Sequence, residues 1–93
     1  MHQTQVEQFS KEDMTLLDRV DDFIESAELE LQRTVTMLKL GTDIEQAFEG
    51  VNAVLKKIDD TVSSMAKKEV QEIARENVGF FLVRMEEVVE QTK

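Results

Sequence analysis

Residues 44–65 read IEQAFEGVNAVLKKIDDTVSSM, and this stretch decides the fold. Its apolar residues are separated alternately by four and three positions, and they are Ile44, Phe48, Val51, Leu55, Ile58, Val62 and Met65. That spacing places all of them on one side of an α-helix. The stretch therefore predicts a helix, near residues 43–63, that packs against other helices.

A long helix near residues 11–40 is predicted before it. Ser10 followed by Asp13 is a loose form of the capping box, and acidic residues in a first turn suit the positive end of the helix dipole. Its apolar stripe consists of Leu17, Val20, Ile24, Ala27, Leu31 and Leu38, with Thr34 at the missing step. Gly41 predicts its end, and Thr42 with Glu45 predicts a capping box for the next helix.

A third helix, near residues 67–91, is predicted from a change of phase after Met65. Continuing the earlier spacing reaches Glu69, Glu72 and Glu76, which cannot line a core. The apolar stripe resumes one residue out of phase as Val70, Ala74, Val78, Phe81, Met85 and Val88. One residue is about 100° of helix rotation, so a turn within 63–68 removes the conflict. Ser63 or Ser64 is a candidate cap for this helix.

These patterns predict an all-α protein: an antiparallel three-helix bundle with up-down-up topology, with homodimerisation through the third helix as one option. Residues 1–93 are expected to form a single helical domain with a flexible N-terminus over residues 1–9. The alternative is one unbroken helix after residue 43, which gives a hairpin that must dimerise.

The inventory of reactive side chains argues against an enzyme. The chain has no cysteine and one histidine, His2, so disulfides, thiolate metal sites and a cysteine nucleophile are excluded. It carries no phosphate-binding glycine motif and no His-Glu-x-x-His metal motif. Histidine phosphotransfer domains are helical bundles of this size, but they require a histidine in mid-helix. We expect no catalytic residue, metal, cofactor or small-molecule substrate.

Negative charge is concentrated in the first helix. The formal net charge is -9, and residues 7–30 hold nine carboxylates against two bases. Five of these acids share one side of the helix and form what we call the acidic strip: Asp18, Asp21, Asp22, Glu25 and Glu28. The strip is either a plain solvated face or a docking surface for a basic partner. The charge disfavours direct binding to nucleic acids and to anionic membranes.

The third predicted helix carries apolar residues on a second side. Residues 78–83 read VGFFLV, and Phe80 and Val83 point away from the stripe that contains Phe81. We call Ile73, Phe80 and Val83 the apolar second side; Arg84 lies beside them, and Gly79 would permit close backbone approach. Either this helix is clasped deeply by the other two, or the second side binds another protein or a second copy.

The sequence therefore favours a non-enzymatic, acidic protein-interaction module, acting as an adaptor, a chaperone-like protein or a regulator. The predicted interface consists of Ile73, Phe80, Val83 and Arg84. The alternative is an acidic decoy or inhibitor that presents the acidic strip to a basic or nucleic-acid-binding protein. No stretch has the length of apolar residues that a membrane span needs, and we expect a cytoplasmic protein.

Overall fold

The computed structural model describes residues 10–91, and the predicted all-α class is confirmed. Four helices follow one another: α1 Lys11–Lys39, α2 Ile44–Ala47, α3 Glu49–Ser63 and α4 Lys68–Gln91. This part of the chain contains no β-strand. The predicted flexible segment 1–9 and His2 lie outside the described residues.

Both ends of α1 are formed by local hydrogen bonds. The Ser10 hydroxyl accepts the backbone N–H of Asp13 at 3.1 Å, which satisfies one of the unpaired donors of the first turn. At the other end Gly41 adopts a φ of 91°, and the N–H of Thr42 donates to the carbonyl of Met37 at 3.0 Å. This is the Schellman arrangement, in which glycine takes the left-handed conformation that a side chain would strain.

The predicted second helix is interrupted, which corrects the expectation of one element over residues 43–63. The short α2 ends at Ala47, and α3 begins at Glu49. The predicted capping box also does not form, because Asp43, not Thr42, precedes α2 and makes no capping bond through its side chain. Ile44 was expected in the core but is exposed, since it lies on the short helix before the interruption.

A buried threonine on α1 contacts the interruption directly. Thr34 is almost completely buried, and its hydroxyl donates to the carbonyl of Ala47 at 2.7 Å. The hydroxyl also lies 2.9 Å from the carbonyl of Glu30 on its own helix. Thr34 therefore fills the predicted gap in the α1 stripe and ties α1 to the junction of α2 and α3.

Replacing Thr34 with valine, which keeps the shape but removes the donor, should destabilise the fold by about 1–2 kcal/mol, because the carbonyl of Ala47 loses its buried partner. Thr36→Val is the matched control, since the exposed Thr36 hydroxyl bonds only the carbonyl of Gln32. We expect the control to stay within about 0.5 kcal/mol of the parent in urea unfolding. Equal losses in both variants would contradict the assigned role of Thr34.

The turn between α3 and α4 is closed by a residue from α1. Asp13 is 2% exposed, and its two carboxylate oxygens accept the backbone N–H groups of Ala66 at 3.1 Å and Lys67 at 3.2 Å. Neither expected serine caps α4: Ser63 is the last residue of α3, and the Ser64 hydroxyl donates back to the carbonyl of Asp60. A carboxylate at this position also faces the positive end of the α4 dipole.

The core consists of two clusters along the molecule. The first joins Val20 of α1 to the end of α3 and the start of α4, and its buried residues are Val20, Ile58, Val62, Met65, Val70 and Ala74. The second joins the later half of α1 to the start of α3 and the middle of α4, through Ala27, Leu31, Phe48, Val51 and Phe81. Earlier residues of α1 therefore pack near earlier residues of α4, and later residues of α1 pack near later residues of α4.

Candidate interaction surface

The apolar second side lies at the surface of α4. Phe80 is 66% exposed, Val83 57% and Ile73 41%, whereas the neighbouring Phe81 is completely buried. Phe80 and Phe81 differ in direction by about 100° because they are consecutive residues of one helix. The alternative in which α4 is clasped deeply enough to cover Phe80 therefore does not occur within the described part of the chain.

Gly79 lies beside this apolar side in an open part of the helix surface. A Cβ atom at Gly79 would have no described heavy atom within 4 Å outside its own helical neighbours. Glycine inside a helix costs about 1 kcal/mol relative to alanine. The packing of residues 10–91 supplies no reason for glycine here, and the approach of another backbone remains a prediction.

Gly50 of α3 lies against a side chain of α1. A Cβ atom there would overlap the Glu30 carboxylate of α1, whose Cδ atom would lie only 3.1 Å away. Glu30 also accepts a hydrogen bond from Arg33 at 3.3 Å. Gly50 therefore leaves room for the end of the Glu30 side chain at the α1–α3 contact.

The acidic strip is exposed over most of its length. Asp18, Asp21, Asp22 and Glu25 are exposed, and within residues 10–91 none of the four forms a salt bridge. Their carboxylates are three and four residues apart, so each acidic pair repels within the free helix by a few tenths of a kcal/mol. A partner that brings positive charge would relieve this repulsion.

The fifth acid of the strip connects α1 to the predicted interface. Glu28 is half-buried, and its carboxylate lies 2.9 Å from the Arg84 guanidinium of α4. Arg84 was predicted beside the apolar second side, and it remains half-exposed while it reaches across to α1. Local periodicity does not predict this pair, because its members are far apart along the chain.

This salt bridge brings the two predicted surfaces together. Phe80 lies one turn before Arg84 on α4, and Glu25 lies about one turn before Glu28 on α1. Because α1 and α4 advance together, Phe80 and Glu25 lie at about the same level on either side of their contact. We call the combined surface the composite face: Ile73, Phe80, Val83 and Arg84 of α4 with Asp21, Glu25 and Glu28 of α1.

Two other apolar surfaces were not predicted from the sequence. Leu29, which is 64% exposed, borders a groove between α1 and the α2–α3 junction. At the far end of the molecule Ile44 lines a cleft of about 610 Å³ with Val35, Leu38, Val88 and Val89. The 3.6-residue period could have identified Leu29, which lies opposite Ala27. The cleft joins the ends of α1 and α4 to the start of α2, which local spacing does not relate.

The described residues do not form a metal-binding cluster. Residues 10–91 contain no group of three or more His, Cys, Asp or Glu side chains arranged to hold a metal ion. In the same range no helix combines the length and the apolar character needed to cross a bilayer.

Comparisons with protein-family models, with curated proteins and with solved structures found no match for this chain.

Proposed function

We propose that the chain is an antiparallel three-helix bundle, built from α1, α3 and α4, that acts as a non-enzymatic protein-interaction module. The binding surface is the apolar second side of α4, with Arg84 at its edge. In this role the protein works as an adaptor, a chaperone-like protein or a regulator. We place its action in the cytoplasm, in keeping with a chain that has no cysteine.

The exposure of Phe80 is the observation that carries this proposal. A phenylalanine removed from water contributes roughly 1.5–3 kcal/mol, and at 66% exposure most of that contribution is unused. Single exposed apolar residues are ordinary, but Phe80 has Val83 one turn later and Ile73 two turns earlier. Aromatic residues with apolar neighbours are typical anchors of protein interfaces.

Val83→Lys tests the surface. Because Val83 is 57% exposed, we expect the variant to keep its helicity and to unfold within about 0.5 kcal/mol of the parent. Binding through this face should weaken at least tenfold, because the ammonium group would lose water in the interface. Circular dichroism, urea unfolding and native molar mass over a dilution series measure these effects together.

Asn52→Lys is the matched control, since Asn52 is exposed on α3 and the change introduces a similar charged side chain. Unchanged molar mass and unchanged partner binding in Val83→Lys would refute this site. Loss of helicity at every concentration would assign Val83 to the core instead.

The second candidate function is an acidic decoy or inhibitor that presents the acidic strip to a basic or nucleic-acid-binding protein. It is favoured by the four strip carboxylates that form no salt bridge within residues 10–91. For this function, Asp18→Asn with Asp22→Asn should abolish most of the binding, whereas Val83→Lys, on another helix, should change it little. The two functions therefore predict opposite responses to the same pair of variants.

A further inference from the structure

The chemistry of the composite face identifies its occupant. We infer that it binds a cationic amphipathic helix of another protein, with apolar residues on Phe80 and Val83 and with Lys or Arg opposite Asp21 and Glu25. This inference rests on the function proposed above and specifies the class of partner. It follows from what surrounds the apolar residues on α1 and on α4.

Carboxylates border the apolar residues on both helices. On α1, Asp21 and Glu25 are exposed beside the contact with α4. On α4, Glu76 lies one turn before Phe80, and Glu87 lies one turn after Val83, and both are exposed. The only base assigned to the face, Arg84, already has Glu28 as its partner. An incoming helix with bases on both edges of an apolar stripe complements this arrangement.

The dimensions of the face fit about three turns of a helix. Ile73 and Val83 are ten residues apart along α4, which corresponds to about 15 Å at a rise of 1.5 Å per residue. A bound helix would place apolar residues, spaced by three, four and seven positions, against the row formed by Ile73, Phe80 and Val83. A helix bound on this row would lie alongside the contact between α1 and α4.

A second copy of this chain is a poor occupant of the same face. In a two-fold dimer each surface meets its own counterpart, so the carboxylates of one composite face would approach those of the other. Burial of like charges opposes such an interface, whereas a cationic partner pairs them. Charge complementarity thus selects a different protein.

The probe is a synthetic 18-residue helix of leucine and lysine with leucine at helical spacing, added to the full chain. Two control peptides accompany it: one has the same composition in scrambled order, and one has glutamate in place of lysine. Fluorescence anisotropy at low and at high salt measures affinity. We expect binding of the first peptide only, with an affinity that falls as salt increases.

Variants with matched controls localise the binding. Phe80→Ser should weaken binding at least tenfold, whereas Leu40→Ser, at an exposed leucine beyond the far end of α1, should not. Asp21→Asn with Glu25→Gln should weaken binding and reduce its dependence on salt. Asp59→Asn with Asp60→Asn, at exposed acids of α3, should leave both unchanged. Circular dichroism verifies folding, and Val83→Lys replaces Phe80→Ser if the latter unfolds.

The inference is overturned if the peptide does not bind, if the scrambled peptide binds equally well, or if the α3 variants weaken binding as much as the α1 variants. The function proposed above has a separate readout. If the peptide fails but Val83→Lys still lowers the native molar mass, a second copy occupies the face. If the peptide fails and Val83→Lys changes neither the native molar mass nor partner binding, the proposed function fails at this site as well.

Discussion

Replacing Asp13 with alanine should lower the free energy of unfolding by about 2–4 kcal/mol, although the residue lies in the first turn of α1. The substitution removes the acceptor of the Ala66 and Lys67 N–H groups, and with it the two bonds that join α1 to the turn. Hydrogen bonds to charged groups contribute about 1.5–3 kcal/mol each, and water that reaches the exposed Ala66 and Lys67 in the variant recovers part of this. Urea unfolding measures the loss, and hydrogen exchange locates it: exchange should accelerate most at these two amides.

The neighbouring acid provides the control for this experiment. Glu12 lies in the same turn and near the same dipole, but it is exposed. Glu12→Ala should therefore change stability by no more than about 0.5 kcal/mol. Asp13→Asn should be intermediate, because its NH2 group takes the place of one of the two accepting oxygens and cannot accept from the N–H that it faces. Equal effects of Glu12→Ala and Asp13→Ala would show that helix-dipole charge, and not the turn, accounts for the loss.

The largest expected loss of stability is at Phe81. Phe81→Ala should cost about 3–5 kcal/mol, because it removes a completely buried ring from the second core cluster. Phe80→Ala, one residue earlier, removes the same atoms from a mostly exposed position and should cost less than about 1 kcal/mol. Thermal and urea unfolding of the two variants compare the exposed side of α4 with its buried side.

The same pair of variants separates folding from binding. Phe80→Ala should retain its helicity and lose affinity for a partner, whereas Phe81→Ala should lose stability first. Comparable destabilisation by both substitutions would mean that Phe80 contributes to the core, and it would remove the main support for an interface on α4.

Local periodicity in the sequence accounts for most of the helical structure. The repeat of apolar residues predicted an all-α chain, and the phase slip after Met65 predicted a turn within 63–68. In the structure the helices end at Ser63 and resume at Lys68. The orientation of Phe80 and Phe81 follows from the same period, because the directions of side chains on one helix depend only on their separation.

Features that depend on contacts between helices could not be predicted in this way. Thr34 fits its helical stripe, but its bond to the Ala47 carbonyl joins positions that local spacing does not relate. The pairing of Arg84 with Glu28 likewise requires the register of α1 against α4. The composite face was therefore seen in the sequence only as two separate surfaces.

The carboxylate of Asp13 has a consequence for the order in which the chain acquires structure. Most helices are capped by a residue next to them in sequence, so their ends can form before the rest of the protein. The turn before α4 instead receives its acceptor from a residue 53 positions upstream of Ala66. Secondary structure at the start of α4 is thus coupled to the docking of α1, which makes folding more cooperative and leaves α4 poorly initiated as an isolated peptide.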